Sequence, residues 1–243
     1  MEKDAETVLV VGATGNIGIA AIIGALCSDR NVLAVVRDQH SAKKVFDHVL
    51  SGHDRIKIVE ADAVSDQGVQ SVVDKVRAGS LPAFQHVFAC VGGQYVQQDI
   101  VDTTTEELQR FMKVNFESNF YAYRATIPYL LEQKDRQCTW TTCTGSQGDI
   151  GDLALPAISQ GAMFSMCYSA FKTLINTNVR FNEIYLGRRV QVDSVAEQAG
   201  STKSSTFGRV YTNILARLEV KSCRVRVEHE MDVDQLRLER KVG

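Results

Sequence analysis

Apolar runs too short for helices alternate with helix-like stretches from one end of the chain to the other. TVLVV at 7–11 is apolar throughout, and the glycines after it lead into IGIAAIIGAL, apolar on all sides. NVLAVV at 31–36 and RIKIVEA at 55–61 predict the next strands, with a polar helix over 40–50 between them. A helix over 66–78 precedes a fourth strand, HVFACV at 86–91. TTTE at 103–106 reads as a capping box, from Thr103 to Glu106, opening a long helix that reaches Leu131. CTWTTCT at 138–144, a helix over 159–176, VRFNEIY at 179–185, a helix over 204–217 and a last strand, RVRVE at 224–228, complete the order. Strands apolar on both faces and separated by helices describe a parallel sheet covered on both sides. With right-handed crossovers this is a doubly wound, Rossmann-type α/β fold with helices on both faces, a single domain over 1–243. Its ligand belongs beyond the carboxyl ends of the strands.

Composition narrows the function classes. The 243 residues are 44% apolar and 23% charged, enough for one large core and unlike disordered or fibrous chains. A net charge of −2 offers no basic surface for nucleic acid. No apolar run approaches the roughly 18 residues of a membrane span, so no membrane contact is expected. Six cysteines without a CxxC pair read as reduced thiols, and five histidines without HxxxH or HExxH spacing give no metal site. The opening MEKDAET carries no apolar stretch, so a cytoplasmic protein without a signal peptide is expected.

The glycines of VVGATGNIG carry the first candidate chemistry. Gly12 permits a tight turn after the strand, Gly15 lets backbone approach a pyrophosphate, and Gly18 lets the helix pack on the strand. Thr14, Asn16 and Ile17 complete this turn, and the helix N-terminus faces the phosphate charge. At the end of the second strand an NAD site would present a carboxylate to the ribose hydroxyls. Here Arg37 stands in that place, followed by Asp38, with Lys43 and Lys44 one turn on. A guanidinium there grips a 2′-phosphate through charge-assisted bonds of about 1.5–3 kcal/mol, so NADP(H) is the expected cofactor.

With these features the chain resembles the short-chain dehydrogenase/reductase family over about residues 7–190. GATGNIG has the glycine spacing of extended and atypical members. The resemblance implies that Asp62 in EADAVSD, with Ala63 beside it, holds the adenine. ACVGG at 89–93 stands for the family's NNAG, with Cys90 and Val91 replacing asparagines while Gly92 and Gly93 keep the close backbone approach. Asn115 in MKVNFESNF matches the asparagine of the catalytic tetrad, and Ser146 in TGSQG the catalytic serine. VRFNEIYLG at 179–187 matches the IRVNxIxPG strand, with Leu186 for the proline. A homo-dimer or homo-tetramer is implied as well, with Phe111, Met112, Phe116 and Phe120 of the long helix as the contact.

The family's proton donor is a tyrosine made acidic by a lysine four residues later. Tyr168 and Lys172, in YSAFK, have that spacing but the wrong register. Counting back from Val179 by the family's usual interval puts Gln160 at the lysine position and Pro156 at the tyrosine position. Tyr168 stands 12 residues later, about 18 Å along a helix at 1.5 Å per residue. Met163, Cys167, Phe171, Leu174 and Ile175 form the expected buried stripe, with Tyr168 and Lys172 on its flank. Proline gives no proton, and glutamine bonds a ribose hydroxyl without acidifying a neighbour. Losing a positioned acid costs about 10²–10⁴ in rate.

Asp149, Asp152 and Tyr95 are the candidate replacements. Three functions remain open: an NADP(H)-dependent reductase of a small, largely apolar carbonyl, alcohol or imine; a non-redox cyclase or isomerase, such as fungal natural-product members that lost the tyrosine; and an NADP(H)-responsive binding protein. Residues 188–218, polar and rich in small side chains, are expected to act as substrate loop and lid.

Overall fold

A computed structural model describes residues 5–93 and 95–241. The first strand, β1 (Thr7–Val11), runs into α1 (Asn16–Cys27), then β2 (Asn31–Val36), α2 (Gln39–His48) and β3 (Ile56–Glu60). Next come α3 (Gly68–Arg77), β4 (His86–Ala89) and one long helical stretch made of α4 (Thr105–Phe111), a π-helical segment (Met112–Glu117) and α5 (Ser118–Glu132). The second half holds β5 (Cys138–Gly145), α6 (Gln147–Ile150), α7 (Ala154–Leu174) and β6 (Val179–Leu186). It continues through β7 (Val190–Gln191), α8 (Asp193–Ala199), β8 (Thr202–Lys203) and α9 (Ser204–Ala216) to β9 (Cys223–Val227) and β10 (Arg237–Arg240).

The main sheet has the order β10-β9-β6-β5-β4-β1-β2-β3, parallel except for β10. The chain therefore winds outward twice from β1, once through β2 and β3 and once through β4, β5, β6 and β9. Alternate strand residues feed two cores. Val8, Val10, Val32 and Ala34 face α1, α2 and α9, whereas Leu9, Val11, Leu33 and Val35 face α3, α5 and α7. On the first face α1 and α9 approach closely, because a side chain on Gly24 would collide with the Gly208 carbonyl.

Several expectations need correction. The capping box is one residue later than TTTE predicted: Thr104 accepts from the Glu107 N–H and Glu107 bonds back to Thr104. The helix expected over 159–176 begins at Ala154, because Pro156 sits in its first turn, where the missing N–H has no partner to lose. Ile175 lies outside the buried stripe, on the surface. Phe111 is core, which withdraws it from any subunit contact, while Met112 and Phe116 are half-buried and Phe120 is 37% exposed. RVRVE is not the last strand: β10 pairs antiparallel with β9 and covers its edge. Among the described residues no helix is long and apolar enough to cross a membrane.

Candidate active site

The first wall of the site comes from the turn between β1 and α1. Gly12 has φ +85°, a left-handed conformation that glycine adopts without cost. A side chain on Gly18 would strike the Gly12 carbonyl, so this glycine lets α1 start directly against the strand. Gly15 is the N-cap of α1, and no side chain caps its first turn. The N–H groups there point towards the space beyond the sheet, with the positive end of the helix dipole behind them.

From this turn a cavity of about 750 Å³ extends across the carboxyl ends of β1, β4, β5 and β6. Gly15, Asn16 and Ile17 line one end; Cys90, Gly92 and Gly93 follow β4 along the floor. Gly145, Ser146 and Gln147 close the other end with Tyr95, Leu153 and Gln160. Leu186 to Gln191, leaving β6, form the remaining wall. Position 145 lies between Gln160 and the Tyr95 hydroxyl, each 3.8–3.9 Å from where a Cβ there would stand.

The polar groups of the far end are held individually. The Ser146 N–H donates to the Leu186 carbonyl at 3.0 Å, which carries the β5–β6 ladder to the serine. Gly145 N–H donates to Gln160 Oε1 at 2.8 Å. Tyr95 is 65% exposed overall, but its hydroxyl enters the cavity, 3.9 Å from where a Cβ on Gly145 would stand. Loss of water around that hydroxyl raises its pKa, so it keeps its proton at neutral pH. The Cys90 thiol, bonded to the Tyr211 hydroxyl at 3.4 Å, is pushed up to about 12 by burial and stays protonated.

Other expected residues stand behind the cavity or outside it. Asn115 is buried in the π-helical segment, where its Nδ2 donates to Ser159 Oγ at 3.1 Å. Its Oδ1 is buried without a partner, 3.3 Å from where a Cβ on Gly92 would lie. Thr14 and Gly18 lie in the turn without lining the cavity. Arg37 is exposed at the end of β2 and forms no ion pair among the described residues, whereas Asp38 is occupied capping α2 through the Ser41 N–H at 2.7 Å. Asp62 and Ala63 follow β3, with Asp62 accepting from the Val64 N–H at 3.0 Å. Asp149 turns away: its carboxylate lies 3.8 Å from the Arg224 guanidinium, and it does not line the cavity. Asp152 is exposed and lines nothing there either. Tyr168 is 45% exposed far along α7, with the Lys172 ammonium 4.6 Å over its ring.

The sequence reading missed Arg188 and Arg189, both on the cavity wall. Their signal was present: they follow directly on the glycine that ends VRFNEIYLG. The region 188–218 carries β7, α8 and β8 ahead of α9, the helix expected over 204–217, and is tied to the glycine turn. Val192 N–H donates to Asn16 Oδ1 at 3.2 Å, and Ser204 Oγ to the Asn16 carbonyl at 2.8 Å.

Comparison with known proteins places the fold and the family. The family profile described as short chain dehydrogenase matches residues 6–202. The chain is 49% identical over 241 residues to the short-chain dehydrogenase/reductase iacG of Pestalotiopsis fici, covering 97% of this chain and 96% of that protein. It is 28% identical over 185 residues to an NADP-dependent (R)-specific alcohol dehydrogenase of Lentilactobacillus kefiri, covering 74% of this chain and 71% of that one. A 3-ketoacyl-(acyl-carrier-protein) reductase of Brucella melitensis, solved with NADH, superposes with a TM-score of 0.74 at 17% identity over 88% of this chain and 92% of that one.

Proposed function

The chain belongs to the short-chain dehydrogenase/reductase family, and we propose that it is an NADP(H)-dependent oxidoreductase whose proton donor has moved from α7 to the opposite wall of the cavity. The observation that carries this reading is the continuous cavity from the glycine turn to Ser146 and Tyr95. The uncapped first turn of α1, open above Gly15, suits a diphosphate. Arg37, with no ion pair among the described residues, suits a 2′-phosphate, and Asp62 an adenine amino group. Bound there, the cofactor supplies the hydride.

The chain's own residues supply orientation and the proton. Ser146 Oγ donates to the substrate carbonyl or imine, and the Tyr95 hydroxyl delivers the proton. Gln160, on α7, fixes Gly145 at the end of β5 and can bond a ribose hydroxyl through its amide nitrogen. Asn115 positions α7 through Ser159 rather than touching the substrate. Loss of water around its hydroxyl makes Tyr95 a weaker acid, which slows the proton-transfer step. Pro156, with no proton to give, favours a second reading, in which the same pocket cyclises or isomerises its substrate without net redox change.

Residues 188–218 act as the substrate-side wall. Phe120 with Leu108, exposed on the long helical stretch, is the contact of a homo-dimer. A cytoplasmic setting fits six cysteines that form no disulfide. The test is titration with NADPH and NADH by fluorescence, then NADPH oxidation over a panel of ketones, aldehydes and imines. NADPH bound at least about tenfold tighter than NADH supports the reading. Absence of binding by either overturns it, and binding without any oxidation leaves the non-redox reading standing.

A further inference from the structure

Among the described residues that line the cavity, only two side chains carry charge, and both are arginines: Arg188 and Arg189. No carboxylate lines it, and neither arginine enters an ion pair among the described residues. Their backbone is braced. Thr202 N–H donates to the Arg189 carbonyl at 3.0 Å, and β7 pairs with β8 immediately afterwards. Arg188 Nε donates to Thr202 Oγ1 at 3.1 Å, which anchors one edge of its guanidinium and leaves the outer nitrogens unengaged. Arg188 is half-buried and Arg189 exposed, and the two stand as adjacent cations on the wall of a concave site.

We propose that Arg188 and Arg189 form an anion subsite that holds a carboxylate of the substrate, so that the protein acts on an acidic metabolite. The inference rests on the cofactor lying in the same cavity as argued above. That placement already assigns the cofactor's own charge: the diphosphate to the first turn of α1 and the 2′-phosphate to Arg37. Two guanidiniums are then in surplus at the wall between β6 and β7. An uncharged ligand closing over them would strip their water and return no bond. A carboxylate reverses that balance, since guanidinium forks match its two oxygens with charge-assisted hydrogen bonds. The expectation of a largely apolar substrate, drawn from the neutral residues legible in the sequence, gives way to one with an acidic end and an apolar body against Leu153 and Leu186.

The test uses benzoylformate and its uncharged methyl ester as matched probes, titrated calorimetrically into the NADPH-loaded protein at low salt. The acid should bind at least about tenfold tighter than the ester, as one charge-assisted pair provides, and the preference should shrink as salt rises. Arg189→Gln should remove most of that preference while NADPH affinity stays within about threefold of wild type; Arg188→Lys, which keeps the charge but loses the fork, should retain only part of it. Equal binding of acid and ester, or no binding of either at millimolar concentration, overturns the proposal. It is overturned equally if Arg189→Gln weakens NADPH about tenfold or more and leaves the acid-to-ester ratio unchanged, since the guanidiniums then serve the diphosphate. Should wild type bind no NADPH, the functional reading fails separately, and the same two probes titrated into the unloaded protein decide the subsite by the same ratio.

Discussion

Replacing Arg224 by methionine tests how the end of β5 is held in place. Arg224 is 5% exposed and Glu183, opposite it on β6, is 1% exposed. Arg224 donates from Nε and Nη2 to the two Glu183 oxygens at 3.0 and 3.1 Å. Thr144 Oγ1 donates to the same carboxylate at 2.7 Å, one residue before Gly145 and two before Ser146. The guanidinium also lies 4.2 Å from the Phe164 ring and 4.9 Å from that of Tyr185. Methionine keeps the volume and the aromatic contact, so what the substitution removes is the counter-charge. A buried carboxylate left with one hydroxyl donor costs about 3–5 kcal/mol. At about 2–4 °C per kcal/mol for a domain of this size, Tm should fall by roughly 6–20 °C.

The pH dependence separates this cause from lost packing. Burial already pushes the Glu183 carboxyl up, with Arg224 and Thr144 opposing. Without Arg224 its folded pKa rises further above the unfolded value. A group raised in this way contributes stability that is present at low pH and is lost as pH climbs through the folded pKa. The deficit of Arg224→Met against wild type should therefore be small at pH 5 and large at pH 8. Adding Glu183→Gln should recover most of it at pH 8. Urea unfolding of the three variants at both pH values decides the matter. A deficit under about 1 kcal/mol at pH 8, or one equal at the two pH values, would refute the reasoning.

Arg37→Ala should remove most of an NADPH-over-NADH preference of about tenfold or more; equal affinity of wild type for both cofactors contradicts the 2′-phosphate assignment. Tyr168→Phe should leave turnover within about threefold, whereas Tyr95→Phe should lower kcat by about 10²–10⁴ and Ser146→Ala should lower it too; the reverse order would show that the register of α7 is misread. At the other end of the sheet Glu6, bonded to His86 and Arg30, is held down to about 2, so its contribution is present above pH 4.5 and fades as pH falls towards 2. Glu6→Gln should cost about 1–2 kcal/mol at pH 7 and converge with wild type near pH 2 in urea unfolding. Light scattering at micromolar concentration should give a dimer that Phe120→Glu disrupts; a monomeric wild type contradicts the proposed contact.

What was legible in the sequence was whatever the core dictates. TVLVV, NVLAVV and CTWTTCT read as strands because both faces of each are buried, and the glycine turn read correctly because Gly12 and Gly18 have steric reasons to be glycine. Arg237–Arg240 was illegible as a strand because it lies at the edge of the sheet, where RLER needs no apolar face to pair with β9. The stretch between β6 and α9, with β7, α8 and β8, was illegible for a related reason. Its order comes from bonds to Asn16, far away in the chain, rather than from any hydrophobic period. The helix expected over 159–176 starts instead at Ala154, with Pro156 in a first turn that accepts it. Asp149 passed as a candidate acid because its neighbour Ser146 faces the cavity; its own carboxylate is drawn to Arg224, whose position no local pattern reveals.

The replacement at position 160 links these observations. Gln160 accepts the Gly145 N–H with its amide oxygen. A lysine has only donors and cannot make that bond. The glutamine is therefore not simply a lysine deprived of charge: it satisfies the first backbone donor beyond the β4–β5 pairing, beside the residue where the site begins. With that choice, α7 presents no cation to the cavity, and Pro156 one turn earlier presents no acid. Positive charge enters instead from Arg188 and Arg189, and an ionisable hydroxyl from Tyr95, so both functions stand on loops at strand ends rather than on the helix. Loops at the carboxyl ends of a parallel sheet can exchange such groups without disturbing either core. If Tyr95 is the proton donor as proposed, the cost falls on chemistry, because a tyrosine whose pKa rises is a poorer acid than one beside a lysine. Under the proposed function, that arrangement suits a slow reductase or a pocket that uses its groups for rearrangement, and the rate of NADPH oxidation against substrate consumption separates the two.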